Sequence, residues 1–199
     1  MPTTTLDIRP LTPERLPDLA TLFEQGGDPK WCWCTWFRMR NADFGKGGAA
    51  RHRATLSQAA ENGVAEDRAP GLVAYDGDEV VGWVSLGPRT DYERLRHSKV
   101  LSPLDDTPVW SIVCFVVGRK HRGQGVAAQL LAGAIDYAKA HGATTLEAYP
   151  VEVPEGKRVS SASAFKGTLS MFERAGFEVV AHRQANPSTP VHPIVRLAL

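Results

Sequence analysis

The sequence is poor in cysteine, lacks a long apolar run and carries no excess of either charge. Its three cysteines, Cys32, Cys34 and Cys114, are an odd number in 199 residues, which argues against a disulfide framework and for a reducing compartment. No apolar run approaches the roughly 18 residues that cross a bilayer, and residues 1–15 contain no apolar core of a secretory signal. Because 23 basic and 22 acidic residues leave a net charge of +1, no extended basic surface is expected for nucleic acid or a membrane. We therefore expect a cytoplasmic protein whose partner is a small molecule or a peptide.

What the sequence does contain is enough apolar residues, 43% of the chain, for one globular domain spanning residues 1–199. Hydrophobic periodicity and turn residues predict an alternation of strands and helices. The predicted strands are residues 6–11, 71–75, 80–86, 109–117, 143–149 and 191–199, with a helix end running into a strand over residues 175–180. The predicted helices are residues 13–25, 49–62, 124–140 and 161–174, and the loop at residues 88–108 is expected to hold one short helix.

Two segments indicate how the strands pair. The sequence Asp-Gly-Asp-Glu at residues 76–79 predicts a tight turn and therefore an antiparallel hairpin. Residues 109–149 follow the order strand, helix, strand, which predicts a parallel pair with a right-handed crossover. The predicted fold class is α/β (α+β), with a mixed and mostly antiparallel sheet.

The turn between the strand at residues 109–117 and the following helix is rich in glycine and begins with a cation. It reads Arg122-Gly123-Gln124-Gly125-Val126-Ala127-Ala128. Glycine lets backbone amides approach an anion, and a helix N-terminus attracts negative charge, so a pyrophosphate is the expected ligand. A purely conformational turn is the alternative at this point. No Gly-Lys-Ser or Gly-Lys-Thr follows, as a Walker loop requires, and Ala128 stands where a dinucleotide fingerprint needs its third glycine.

This turn resembles the pyrophosphate signature of the GNAT superfamily of acetyl-CoA-dependent N-acetyltransferases. That signature has Gln or Arg, two residues, Gly, one residue, then Gly or Ala, and Arg122, Gly125 and Ala127 match it. Residues 115–121 resemble the strand and lead-in that precede the signature in the family. Residues 172–177 resemble a later helix end, in which an aromatic residue stands four positions before a Gly-Phe pair. The order of elements is similar over residues 6–199.

The resemblance implies a GNAT-like sheet with a splayed parallel strand pair and helices on both faces. It also implies acyl transfer from acetyl-CoA, or a related acyl-CoA, to an amine that attacks the thioester directly, with no metal. The pantetheine would lie along the strand at Phe115, Val116 and Val117, beside the backbone of the first and last of these. The pyrophosphate would meet the amides of the turn residues, namely Arg122, Gly123, Gln124, Gly125, Val126, Ala127 and Ala128.

Phe172 occupies the position at which many members of the family carry a tyrosine general acid, so the resemblance provides no proton donor there. Tyr149, at the end of the strand after the turn, is the substitute candidate for the acid. Glu147 is a candidate base acting through water, as is Glu152 in the following loop, and Ser111 is a candidate for holding that water. The alternatives are packing for Tyr149 and a solvated charge at the sheet edge for Glu147.

Residues 31–37 are the most unusual segment of the sequence, with three tryptophans and two cysteines. They fall where the first two helices of the family border the acceptor site. Trp31, Trp33, Trp36 and Cys34 are therefore predicted to contact the acceptor, with cation–π attraction to an ammonium group; core packing is the alternative. Cys32 and Cys34 are too close in sequence for an ordinary disulfide, and no second pair completes a zinc site.

The predicted function is transfer of an acetyl or related acyl group from acyl-CoA to an amine of a small molecule or peptide. A non-catalytic acyl-CoA-binding sensor or interaction module is an alternative, favoured by the phenylalanine at position 172. A nucleotide-binding oxidoreductase is a weaker one, because no acidic ribose partner is clearly placed about 20 residues after the turn. The expected assembly is a monomer or a homodimer.

Overall fold

A seven-stranded mixed sheet organises the protein, whose computed structural model describes residues 5–153, 156 and 164–199. The strand order across the sheet is β1-β2-β3-β4-β5-β7-β6. The strands are β1 (Asp7–Pro10), β2 (Gly71–Asp76), β3 (Glu79–Pro88), β4 (Trp110–Val117), β5 (Thr145–Ala148), β6 (Glu178–Arg183) and β7 (His192–Ala198).

All neighbouring strands are antiparallel except β4 and β5, which are parallel. Their pairing covers only Trp110 to Ile112 on β4, so the remainder of β4 continues to Val117 without β5 beside it. On its other side β4 carries a bulge, because Cys114 pairs with Ser85 while Ile112 pairs with Leu86, which leaves Val113 as an extra residue. The predicted mixed sheet with a splayed parallel pair is confirmed.

Helices cover both faces of this sheet. They are α1 (Leu16–Glu24), α2 (Pro29–Cys32), α3 (Asn41–Phe44), α4 (Gly48–Ala65), α5 (Glu93–His97), α6 (Val126–Ala140) and α7 (Leu169–Arg174). Alternation along β2 separates two cores, since Val73 packs with α1 and α4 and Leu72 packs with α6 and α7. The α6 face thus lies opposite the face that carries the aromatic segment at residues 31–37.

The helix predicted over residues 161–174 needs correction. Residues 161–163 lie outside the described part, and α7 begins only at Leu169. Gly167 has a φ of +78°, Thr168 is extended, and Thr168 forms an isolated parallel bridge with Val151. A left-handed residue cannot continue a right-handed helix, so this segment instead runs beside the end of β5.

Candidate functional site

The turn between β4 and α6 presents backbone amides at a helix N-terminus. Gly123 and Gly125 have φ values of +75° and +84°, and Gly125 is the residue immediately before α6. The first intrahelical bond runs from the N–H of Gln129 to the carbonyl of Gly125, so the amides of residues 126–128 have no partner within the helix. In the described part of the chain no side chain caps this N-terminus. The arrangement suits a bound anion.

A cleft of about 1200 Å³ opens beside this turn. Its walls come from β4 beyond the bulge, the α6 N-terminus, α7 with the segment before it, and residues 26–44. The basic side chains that line it are Arg119, His121, Arg122 and Arg174, while Asp28 is the one carboxylate among the described lining residues. The volume exceeds that of a typical small-ligand pocket and is adequate for a long, anionic ligand.

Nine of the ten residues predicted to bind the cofactor line this cleft: Phe115, Val116, Val117, Arg122, Gly123, Gly125, Val126, Ala127 and Ala128. Gln124 does not line the cleft, and binding of a phosphate by its backbone amide stays a prediction. Its side-chain amide donates a hydrogen bond of 2.8 Å to the carbonyl of Lys120, which closes the turn from behind. Arg122 is held against the strand, because its Nε donates to the carbonyl of Val117 at 3.3 Å.

The exposed edge of β4 is partly covered. The N–H of Phe115 donates to the carbonyl of Phe165 at 2.6 Å, so the segment before α7 occupies the gap that β5 leaves. Phe165 and Gly167 also line the cleft. A ligand can accept a hydrogen bond from the N–H of Phe115 only if this bond exchanges.

The predicted acceptor residues separate into two groups. Trp31 and Trp36 are 44% and 40% exposed, line the cleft, and meet the ring of Phe44 edge-on at 4.9 and 4.7 Å. Cys34 also lines the cleft, although it is buried. Trp33 requires correction, because its indole lies in the core against Phe23 at 5.4 Å and does not line the cleft.

Several neighbours of this aromatic wall were not predicted from the sequence. Phe44 lies on the four-residue helix α3, which is too short to show helical periodicity. The guanidinium of Arg94 stacks on Trp36 at 3.5 Å from the ring centroid, and its Nε donates to the Trp36 carbonyl at 2.6 Å. His52, fully buried, contacts the rings of Trp31 and Phe44 at 4.7 and 4.5 Å. Only the tertiary fold brings α4 and α5 to this segment.

The three candidate catalytic side chains, on β4, on β5 and directly after β5, lie in one buried network. The Tyr149 hydroxyl donates to Glu147 Oε1 at 2.6 Å and is 3.1 Å from the Ser111 hydroxyl. Glu147 forms ion pairs with Arg89 and with Arg196, whose Nε is 2.9 Å from Oε2. Burial raises the pKa of Tyr149 well above its usual value.

None of these three residues lines the cleft. The alternative of a solvated edge charge for Glu147 is also wrong, because its carboxylate is fully buried. Phe172 is fully buried as well and packs between Phe115 and Phe177, at centroid distances of 6.2 and 5.0 Å. The position of the missing tyrosine is therefore a core position in this protein.

The described residues contain neither a cluster of metal ligands nor a helix that could cross a membrane. Within residues 5–153, 156 and 164–199, no group of three or more His, Cys, Asp or Glu side chains is placed to hold a metal ion. In the same part of the chain, no helix combines the length and apolar character needed to cross a membrane.

Comparison with known proteins adds a family and a fold. The sequence model of the acetyltransferase (GNAT) family matches residues 33–159, whereas no curated protein sequence matches the chain. The ribosomal-protein-alanine N-acetyltransferase of Brucella melitensis is 21% identical, with a TM-score of 0.54 over 98% of this chain and 100% of that one. The PaiA N-acetyltransferase of Thermoplasma acidophilum, solved with coenzyme A, is 13% identical, with a TM-score of 0.54 over 98% and 100%. The N-acetyltransferase of Staphylococcus aureus Mu50 is 17% identical, with a TM-score of 0.54 over 98% and 99%.

The family match covers more than half of the chain and includes β4, the glycine-rich turn and α6. The structural neighbours share the same fold over nearly their whole length. The chain therefore belongs to the GNAT acetyltransferase family and is an acyl-CoA-dependent N-acetyltransferase with acetyl-CoA or a related acyl-CoA as its co-substrate.

Proposed function

We propose that this chain acetylates a small amine with an apolar or aromatic body, held between the cofactor and the wall of Trp31, Trp36 and Phe44. The observation that carries this proposal is the composition of the cleft. Basic side chains and free helix amides lie on the α6 side, whereas exposed indoles and one carboxylate, Asp28, come from residues 26–44. Aromatic faces attract apolar groups and ammonium ions alike.

The α6 N-terminus supports binding of the pyrophosphate. The amides of residues 126–128 and the Arg122 guanidinium supply donors and positive charge, and small side chains at Ala127 and Ala128 leave the first helical turn accessible. The pantetheine arm would then follow β4 past Val117. A cofactor oxygen can accept from the N–H of Phe115 only if the Phe165 carbonyl gives up its present bond, so we infer that the segment at residues 164–168 shifts when the cofactor binds in this way.

The buried network supports a structural role for Glu147, Tyr149 and Ser111. Two guanidinium groups and a hydroxyl already engage the Glu147 carboxylate, and none of the three faces the cleft. We therefore propose that the acceptor loses its proton to water, with Asp28 attracting the incoming ammonium. The neutral amine nitrogen then attacks the thioester carbonyl, the carbon–sulfur bond breaks, and the second proton of the nitrogen passes to solvent in the open cleft, which also protonates the CoA thiolate.

The decisive experiment measures free thiol release from acetyl-CoA against a panel of amines. The panel contains arylalkylamines, polyamines, aminoglycosides, amino acids and peptides; peptides are included because one structural neighbour is named a ribosomal-protein-alanine N-acetyltransferase. Release should be fastest with the arylalkylamines. A preference for polyamines would contradict the aromatic acceptor site, and binding of acetyl-CoA without release for any class would favour the sensor alternative.

Gly125→Val tests the pyrophosphate site. A valine is strained at a φ of +84° and places its side chain among the amides that the phosphates need, so acetyl-CoA binding should be lost. Gly142→Val is the matched control, since Gly142 has a φ of +76° at the other end of α6 and does not line the cleft. At 100 times Kd, acetyl-CoA should stabilise the wild type and the control by about 2.7 kcal/mol in thermal unfolding. Equal stabilisation of Gly125→Val would refute the assignment.

We further propose that residues 1–199 form a single domain that acts in the cytoplasm as a monomer or homodimer. The near-neutral charge and the continuous seven-stranded sheet support this proposal. Light scattering on the purified chain distinguishes the two assembly states.

A further inference from the structure

Two cysteines from distant parts of the chain meet in the wall of the cleft. Cys34 and Cys114 are separated by 80 positions in sequence, yet their Sγ atoms lie 2.8 Å apart. Both are free thiols in this structure, and either can donate the hydrogen bond. The sulfur atoms need to approach by less than 1 Å to reach the roughly 2.05 Å of a disulfide.

The backbone holds this pair in place from both sides. Trp33 and Cys34 have φ values of 47° and 48°, a left-handed conformation that is costly for residues other than glycine. Trp33 is fixed by the core and Thr35 by a 2.7 Å contact between its hydroxyl and His52 Nδ1, so Cys34 cannot turn away freely. Cys114 is fixed by its pairing with Ser85 beside the bulge in β4. The short separation is therefore a property of the fold.

The pair is buried but reachable. Cys34 and Cys114 are 2% and 6% exposed, and both line the cleft, so a small molecule that enters the cleft contacts the sulfur atoms. Burial raises the pKa of the Cys34 thiol well above its usual value, which favours the protonated thiol. Cys32 also lines the cleft, but it stands only two residues from Cys34.

We propose that Cys34 and Cys114 form a reversible disulfide when the protein meets a low-molecular-weight disulfide. One cysteine thiolate attacks the reagent and releases one thiol, leaving a mixed disulfide. The other cysteine then attacks that bond, forming the Cys34–Cys114 bond and releasing the second thiol. Two cysteine thiols are thereby oxidised and one reagent disulfide is reduced to two thiols. The bond ties the segment that carries Trp31 and Trp36 to β4, next to Phe115.

The test exposes the reduced full-length chain to an excess of oxidised glutathione and maps its peptides without reduction. The expected product links Cys34 to Cys114, has lost two hydrogen atoms in intact mass, and returns to the starting mass with dithiothreitol. Cys32→Ser is the matched control and should form the same bond. Cys34→Ser and Cys114→Ser should each form no internal bond and instead retain glutathione on the remaining partner.

Linkage of Cys32 to either partner, or two thiols that stay free throughout, would overturn the proposal. These outcomes do not depend on the enzyme's activity, because the pair is defined by geometry alone. One consequence rests on the proposed function: acetyl-CoA bound along β4 should shield the pair and slow bond formation about 100-fold at 100 times Kd. A bond that forms at the same rate with acetyl-CoA would contradict the cofactor's placement beside Cys114 while leaving the disulfide site intact.

Discussion

At the residue scale, the tryptophans of the aromatic segment have different surroundings although they stand within six positions. Trp33 is 4% exposed and packs in the core, where a left-handed backbone directs it. Trp31 and Trp36 remain at the cleft because their rings rest on Phe44, and Trp36 also stacks on Arg94. We therefore expect substitution of Trp31 or Trp36 to change substrate binding, and substitution of Trp33 to change the stability of the fold.

Alanine substitution separates these two roles. Trp31→Ala should raise the KM for the amine about 2- to 30-fold, which corresponds to the loss of 0.5–2 kcal/mol of ring contact, and should leave the acetyl-CoA Kd unchanged. Trp33→Ala should instead lower the free energy of unfolding by about 3–5 kcal/mol, because it leaves a cavity in the core. Steady-state kinetics and urea denaturation check both. An unchanged amine KM in Trp31→Ala would remove it from the acceptor site.

A second residue-scale prediction concerns His52, whose surroundings should make the free energy of unfolding depend on pH. Its Nδ1 contacts the Thr35 hydroxyl, its Nε2 has no hydrogen-bond partner among the described residues, and burial lowers its pKa. Because the folded pKa lies below the unfolded value of about 6.5, the unfolded chain binds the proton more readily. Its stabilising contribution is present above that value and is lost as pH falls through it toward the folded pKa.

Urea denaturation of wild type and His52→Gln measures this contribution. The wild type should lose more stability than the variant between about pH 7.5 and about pH 5.5, since glutamine does not titrate in this range. Burial also lowers the pKa of His192, but that residue is present in both proteins and its contribution cancels in the comparison. Parallel pH dependences would show that His52 does not titrate differently in the folded state.

At the scale of elements, the buried Glu147 joins the sheet to the loop before β4. Its carboxylate, on β5, pairs with Arg196 on β7 and with Arg89 just after β3. Arg196 continues the network to Asp105, with contacts of 2.6 and 3.0 Å. The network holds the C-terminal end of β5 in place. The last pair between β4 and β5, Ile112 with Ala148, lies at this end, and the two strands separate beyond it.

Removing the charge of Glu147 should therefore cost stability and not change the catalytic pH dependence. Glu147→Gln leaves the largely buried Arg89 guanidinium without its carboxylate, whereas Arg196 keeps Asp105, and the expected cost is about 3–5 kcal/mol. Glu152→Gln is the matched control on an exposed side chain and should change stability by less than about 0.5 kcal/mol. Denaturant unfolding and a pH profile of kcat/KM test this; loss of the acidic limb in Glu147→Gln alone would restore Glu147 as the general base.

At the scale of the whole molecule, the cleft exists because the sheet opens between β4 and β5. Residues 109–149 follow a local pattern of strand, helix, strand, so the parallel pair could be predicted from sequence. The pairing stops at Ile112, and the segment at residues 164–168 fills part of the opening through Phe165. The helix predicted over residues 161–174 included that segment, but Gly167 has a φ of +78° and Thr168 bridges Val151, so α7 begins only at Leu169.

The sequence by itself determined the fold class and the glycine-rich turn at the start of α6, because both depend on short-range patterns: hydrophobic periodicity, and glycines before a helix. Only the tertiary structure decided which residues share the cleft. In the folded chain Glu147, Tyr149 and Ser111 lie in one buried network, and Trp33 packs in the core. The Sγ atoms of Cys34 and Cys114 lie 2.8 Å apart. These outcomes depend on contacts between residues far apart in the chain, which no local pattern encodes.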